Sequence, residues 1–215
     1  ANSFYHTPEL SQWFTEARLT NTSSSGYPKF LLNGGIVGSA LNFTKANAEH
    51  ITQLLPNTDL KYINQSLTIS AWIKPNGAAN VMTILDSSAG GSTPPYRLSR
   101  RPTVGNRVLR FQGSNFTSGI QTCDSPTTAQ IPDNKWSFVT ATYNGTTISL
   151  YINSTLVQTC TTIQGLLLDN VPSGLTVGCQ DSSAPTLCMN GLLDEVMMLD
   201  TALNSTQINQ IYLNL

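Results

Sequence analysis

The sequence predicts an all-β sandwich in one domain, and three observations carry that expectation. Between Lys135 and Cys160 the segment KWSFVTATYNGTTISLYINSTLVQTC alternates in three runs parted by Asn144-Gly145 and Asn153-Ser154. Asparagine-glycine is the dipeptide that a two-residue hairpin turn with positive φ prefers. Ser66 to Pro75, SLTISAWIKP, puts Leu67, Ile69, Ala71 and Ile73 on one face and Trp72 on the other, the mark of a strand covered on both sides. Helical spacing is confined to the two ends of the chain, and 215 residues without a linker or internal repeat suit a sandwich, a class that runs to roughly 200–250 residues as one unit.

Taken in order, Thr7-Pro8-Glu9 reads as an N-cap with proline at the first helical position, and Leu10, Trp13, Phe14 and Ala17 recur at helical spacing. A short amphipathic helix is expected there, within an N-terminal extension of residues 1–30 that precedes the sandwich, residues 31–215. Thr20 to Gly26 is polar loop. Ala40, Leu41 and Phe43 mark a strand, a turn follows at Lys45 to Ala48, and a second strand leads on. Beyond the doubly covered strand, Val81 to Asp86, Tyr96 to Arg101, its hairpin partner Arg107 to Gln112, and Ile120 to Cys123 follow. In the meander Ile148, Leu150 and Ile152 share a face. Leu175 to Gly178 and Gly191 to Leu199 come next, and strict alternation in the latter groups Asp194 with Val196 and Met198, and Glu195 with Met197 and Leu199. Asn204 with Gln207 three residues on matches a capping box, so Ser205 to Tyr212 is expected to be helical.

Composition narrows the function. Hydrophobic residues are 40% and charged residues 11%, against about 25% charged in ordinary soluble domains. A net charge of −1 gives no global field for nucleic acid or an anionic membrane, and no apolar run is long enough to span a bilayer as a helix. Ala1-Asn2-Ser3 lacks a basic, apolar leader and reads as a mature end left after cleavage. Cys123, Cys160, Cys179 and Cys188 show no C-x-x-C or histidine-rich spacing, which argues against zinc. Two disulfides are expected, with Cys179–Cys188 closing the loop QDSSAPTL and Cys123–Cys160 tying two strands that flank the meander; two other pairings are formally open.

Sequons N-x-[ST] stand at Asn21, Asn42, Asn64, Asn115, Asn144, Asn153 and Asn204. Asn144 and Asn153 fall in turns, Asn42 points outward between inward Leu41 and Phe43, and Asn204 opens the last helix. Turns and outer faces are where a glycan sits without being buried. Together with the disulfides they point to a secreted, extracellular glycoprotein.

The order of the segments VGSALNFTKANAEHITQL, SLTISAWIKP, KWSFVTATYNGTTISLYINSTLV and MNGLLDEVMMLDTALNSTQI resembles the laminin-G-like jelly roll of the concanavalin-A-like superfamily, with pentraxins as cousins. The likeness covers roughly Gly35 to Tyr212. It implies two antiparallel sheets of about six strands packed face to face and no single activity, because the fold hosts lectins, adhesion modules, plasma proteins and glycan hydrolases. A hydrolase of this kind needs carboxylates at i, i+2 and i+4 of one strand, and the alternation around Asp194 and Glu195 does not supply them. His6 and His50 stand beside no nucleophile motif, so an enzyme is not expected.

The resemblance also implies a calcium ion, with Asp194 as the aspartate of the D-E-V motif. Calcium takes six to eight oxygens, and TNTSSSG at residues 20–26, where relatives carry an acidic loop, offers no carboxylate. The other role for Asp194 is to cap a loop through backbone N–H groups. The one uneven charge feature is Arg97, Arg100, Arg101, Arg107 and Arg110, without an intervening acid. Arginine forks suit sulfate and carboxylate, so this hairpin is a candidate site for an anionic glycan; alternatively its arginines pair with carboxylates elsewhere. Phe4, Tyr5, Trp13 and Phe14 near one end, and Ile208, Ile211, Tyr212, Leu213 and Leu215 at the other, either join copies head to tail or pack on their own domain. Two functions are thus expected: a non-catalytic module that binds an extracellular glycan or protein, or a self-assembling subunit of a glycosylated filament or coat.

Overall fold

The computed structural model describes residues 28–53, 65–77, 81–88, 94–103, 106–115, 119–161, 165, 167, 175–180 and 185–215. The expected N-terminal helix, the loop at residues 20–26, Asn21 and Asn64 lie outside these residues, as does the side chain of Asn115. The strands are β1 (Lys29–Leu31), β2 (Ala40–Phe43), β3 (Ile51–Gln53), β4 (Leu67–Pro75), β5 (Met82–Asp86), β6 (Tyr96–Thr103), β7 (Asn106–Asn115), β8 (Gly119–Asp124), β9 (Ser137–Tyr143), β10 (Ile148–Ile152), β11 (Thr155–Cys160), β12 (Leu175–Val177) and β13 (Gly191–Leu199). One helix, α1 (Ser205–Asn214), ends the chain. Seven strands form one sheet in the order β1-β2-β13-β4-β9-β10-β11, and six form the other in the order β3-β12-β5-β6-β7-β8.

Alternation explains why two sheets form and why they close on each other. Leu67, Ile69, Ala71 and Ile73 of β4, Val139, Ala141 and Tyr143 of β9, and Ile148, Leu150 and Ile152 of β10 point into one core. Leu98, Leu109 and Phe111 meet them from the six-stranded sheet. Each leucine, isoleucine, valine or phenylalanine among them contributes about 1.5–3 kcal/mol when taken out of water. The first hairpin differs from the two-residue turn expected at Asn144-Gly145. Tyr143 pairs with Ile148, leaving a four-residue loop, because the Asn144 side-chain oxygen accepts from the N–H of Thr146 at 3.1 Å and of Thr147 at 2.8 Å. The second reversal is a true two-residue turn: Ile152 pairs with Thr155, and Asn153 and Ser154 both take positive φ, 49° and 60°.

Strand β13 departs from strict alternation. A bulge lies between Asp194 and Met197, with Glu195 in the left-handed region at φ 46°. The extra residue puts Asp194 opposite Trp72 and Met197 opposite Ser70, while Leu193, Val196 and Met198 enter the core. Asp194 therefore does not share a face with Val196 and Met198 as simple period-two counting has it. Strand β1 is a further difference. It begins at Lys29, and its three residues are exposed, so no apolar alternation marks it in the sequence.

Helix α1 carries the expected capping box, with the Asn204 side chain accepting from the Gln207 N–H at 3.0 Å and the Gln207 side chain accepting from the Asn204 N–H at 2.9 Å. Its apolar face lies on the outer side of the seven-stranded sheet. Ile208 is buried with Trp72, Phe138 and Tyr151, and Ile211, Tyr212 and Leu215 pack against them. The Tyr212 ring stacks on Trp72 with centroids 5.4 Å apart. Of the two placements open for the apolar C-terminus, packing on its own domain is the one observed, since the stripe finds its partner within the same chain. The disulfides are Cys123–Cys160, which links β8 at the edge of one sheet to β11 at the edge of the other, and Cys179–Cys188.

Candidate functional site

The arginine hairpin is built from β6 and β7, and its charges are largely answered from within. Arg97 Nε donates to Asp86 at 2.8 Å with both side chains buried. Arg100 points into the rim of the core, donating to Asp133 and to the carbonyls of Ile131 and Gly77; burial draws its pKa down, and Asp133 works against that. Arg107 reaches the other oxygen of Asp133 at 2.8 Å, and Arg110 pairs with Asp124. Arg101 alone of the five is exposed. The anion-binding hairpin expected from the sequence is therefore corrected: four of its forks hold carboxylates that arrive from β5, β8 and the turn before β9.

Asp194 is likewise a structural clamp. Its Oδ2 accepts from the N–H groups of Ile36 at 2.7 Å and Val37 at 3.1 Å, and its Oδ1 from Glu195 N–H at 3.0 Å. Gly35 lies so close that a Cβ there would run into Oδ2. The fit to calcium fails on these observations. Both oxygens face backbone donors rather than a vacant sphere, and among the described residues no group of three or more His, Cys, Asp or Glu gathers to hold a metal ion. Burial pushes the Asp194 carboxyl up in spite of its three donors, and burial together with Asp194 raises that of Glu195 to about 7.

The Glu195 shift has a pH consequence of definite sign. A carboxyl whose pKa rises on folding, here from 4.5 to about 7, holds its proton more tightly in the folded state. The contribution of Glu195 to stability is thus greatest below about 4.5 and declines as pH climbs to 7, by up to about 3 kcal/mol. Glu195→Gln is expected to remove most of that decline, read as the urea midpoint at pH 5 and pH 8; an unchanged slope would show that Glu195 does not titrate in this window.

The outer face of the six-stranded sheet carries a polar row of its own. Register aligns Thr52 of β3, Thr176 of β12, Asp86 of β5, Arg97 of β6, Gln112 of β7 and Thr122 of β8 in one row across all six strands. Each lies beside a residue that enters the core, so the row points away from it. Asp86, Ser88, Arg97 and Gln112 form a network, with Ser88 Oγ donating to Asp86 and Arg97 Nη1 to Gln112 Oε1 at 3.4 Å. The hydroxyls of Thr52, Thr176 and, nearby, Thr83 and Ser114 are buried with no hydrogen-bond partner. An unmatched buried hydroxyl costs about 1–3 kcal/mol. All four residues are buried, so these hydroxyls lie inside the protein rather than on open surface. Nothing in the linear order of residues signals this row, because its members come from six separate strands.

Three described turn sequons share a geometry. Asn144 Oδ1 accepts from its loop, Asn153 Oδ1 accepts from Phe138 N–H at 2.9 Å, and Asn204 Oδ1 caps α1. All three residues are exposed, and each Nδ2, the atom that carries an N-linked glycan, has no partner among the described residues. Asn42 stands half-buried on β2. No described helix is long and apolar enough to cross a membrane.

Comparison with known proteins follows the same lines. No curated protein sequence matches the chain. Among solved structures it is similar to domain 4 of AbnA, an extracellular arabinanase from Geobacillus stearothermophilus in complex with arabinotriose, at 19% identity over 92% of this chain and 85% of that one, TM-score 0.63. A heptameric SAP-like pentraxin from Limulus polyphemus aligns at 16% identity over 69% of this chain and 70% of that one, TM-score 0.54. The binding domain of botulinum neurotoxin DC, in complex with rat synaptotagmin II, aligns at 19% identity over 87% of this chain and 45% of that one, TM-score 0.60. At these identities the likeness shows the fold. A family model, Laminin_G_3, matches residues 46–209, and the chain belongs to this family of the concanavalin A-like lectin/glucanase superfamily.

Proposed function

We propose that this domain is a non-catalytic, extracellular recognition module that binds a glycan or another matrix component. The observation that carries the reading is the laminin-G-like sandwich itself, matched over residues 46–209. Two disulfides and the exposed turn sequons support an oxidising, glycosylating route to the cell exterior. The similar arabinanase domain is in complex with arabinotriose and the similar toxin binding domain with rat synaptotagmin II, which supports binding as the job of this scaffold. Among the described residues the commitment of Asp194 to three backbone donors, with Glu195 its immediate neighbour in the bulge, supports recognition over bond-breaking.

A glycan array probed with the protein from a eukaryotic secretory host, with and without EDTA, tests this. Binding that survives EDTA is expected, and silence in both conditions would overturn it. One observation favours a second reading, a self-assembling subunit of a filament or coat. Edge strand β1 exposes Phe30 at 64% and, just beyond it, Leu32 at 77%, and among the described residues its outer edge is unpaired, the kind of edge that pairs with another chain. Polymers rather than monomers in that same preparation would favour it.

A further inference from the structure

We propose that Asn144, Asn153 and Asn204 carry N-linked glycans, so that the sugars gather on the layer that bears α1. The inference rests on the extracellular part of the recognition reading and adds a covalent modification to it.

Each of the three asparagines divides its amide between two tasks. The fold holds Oδ1. Asn144 Oδ1 accepts from the N–H groups of Thr146 at 3.1 Å and Thr147 at 2.8 Å and from the Thr146 hydroxyl at 3.0 Å, Asn153 Oδ1 from Phe138 N–H at 2.9 Å, and Asn204 Oδ1 from Gln207 N–H at 3.0 Å. Nδ2 is left to solvent, since all three residues are exposed and no partner for it stands among the described residues. Glycan transfer uses that atom alone. Nδ2 attacks the anomeric carbon of a lipid-linked oligosaccharyl diphosphate, the N–C bond forms as the bond from that carbon to the diphosphate oxygen breaks, and one Nδ2 proton leaves to solvent. A sugar in place of that proton therefore breaks no hydrogen bond of the fold. The hydroxyl residue that completes each sequon, Thr146, Thr155 or Thr206, is exposed as well.

Topology puts the three sites on one layer. Asn144 lies in the loop between β9 and β10, Asn153 in the turn between β10 and β11, and Asn204 at the start of α1, which packs on the outer side of the same sheet. Ser154 Oγ donates to Asn209 Oδ1 at 2.9 Å and ties the turn to the helix, so one sugar stands at the first turn of α1 and another beside its middle. Composition supplies a reason for the coat. With charged residues at 11% the chain has little ionised surface to hold water, and bulky, hydrated sugars meet that need.

The test is site mapping on the full chain, secreted from a eukaryotic host behind a cleavable leader. Peptide N-glycosidase in heavy-oxygen water turns every formerly glycosylated asparagine into a labelled aspartate, which tandem mass spectrometry reads. Label at all three positions is expected, and an unlabelled asparagine at any of them overturns the assignment. Two variants test the division of tasks at Asn153. Thr155→Val removes the sequon hydroxyl and Asn153→Gln the acceptor, so each loses one glycan; only Asn153→Gln also displaces the oxygen that holds Phe138 N–H. After deglycosylation that variant is expected to melt below Thr155→Val and the parent, and equal midpoints would count against a structural Oδ1. Full label beside a silent glycan array leaves this inference standing without the recognition reading, and array binding by a protein with bare asparagines does the reverse.

Discussion

Asp86→Ala is expected to lower the unfolding free energy by about 3–5 kcal/mol, the usual result of stripping a buried ion of its counter-charge. Asp86 is wholly buried, and Arg97 nearly so. Without the carboxylate, Arg97 keeps only long contacts, 3.4 Å to Gln112 Oε1 and 3.4 Å to Ser88 Oγ, in a place where water does not reach it. Urea denaturation reads the loss. The double variant Asp86→Ala/Arg97→Met is expected to recover most of it, because two apolar side chains carry no solvation debt. A single-variant loss below about 1 kcal/mol would mean that the guanidinium finds water, and that the face is wetter than its burial shows.

Trp72→Ala is expected to cost about 3–5 kcal/mol and to free α1. Trp72 touches Phe138 and Tyr212, ring to ring, and these contacts with Ile208 hold the helix on the seven-stranded sheet. Limited proteolysis then cuts between Ser205 and Asn214 in the variant while sparing the parent. Trp72→Phe makes the sharper comparison. The indole N–H has no partner, so its removal sacrifices no hydrogen bond, and the loss is expected to stay under about 1.5 kcal/mol. Equal losses for both variants would place the energy in the N–H rather than in ring packing.

Local signals in the sequence were reliable where the physics is local. The apolar positions of β4, β9 and β10, the asparagine-glutamine box before α1 and the reversal at Asn153-Ser154 depend on residues within a few places of one another. What needed a partner from afar was not legible. Asp86, Asp133 and Asp124 lie 11, 33 and 14 residues from Arg97, Arg100 and Arg110 respectively, so the same five arginines read equally as a binding patch and as internal ion pairs. The bulge at Glu195 defeated period-two counting because one extra residue reverses every facing beyond it. The polar row was hidden for the same reason at larger scale, being a product of register between strands that are scattered along the chain.

The seating of α1 gives the molecule a front and a back. Anything fused beyond Leu215, whether another domain, a surface tether or a fluorescent label, hangs from the seven-stranded layer, and a pull on it is borne first by the Trp72, Phe138 and Ile208 contacts. The six-stranded layer then looks the opposite way. A carboxy-terminal anchor is accordingly the orientation of choice for immobilising this protein on a sensor, since it turns the six-stranded layer away from the support.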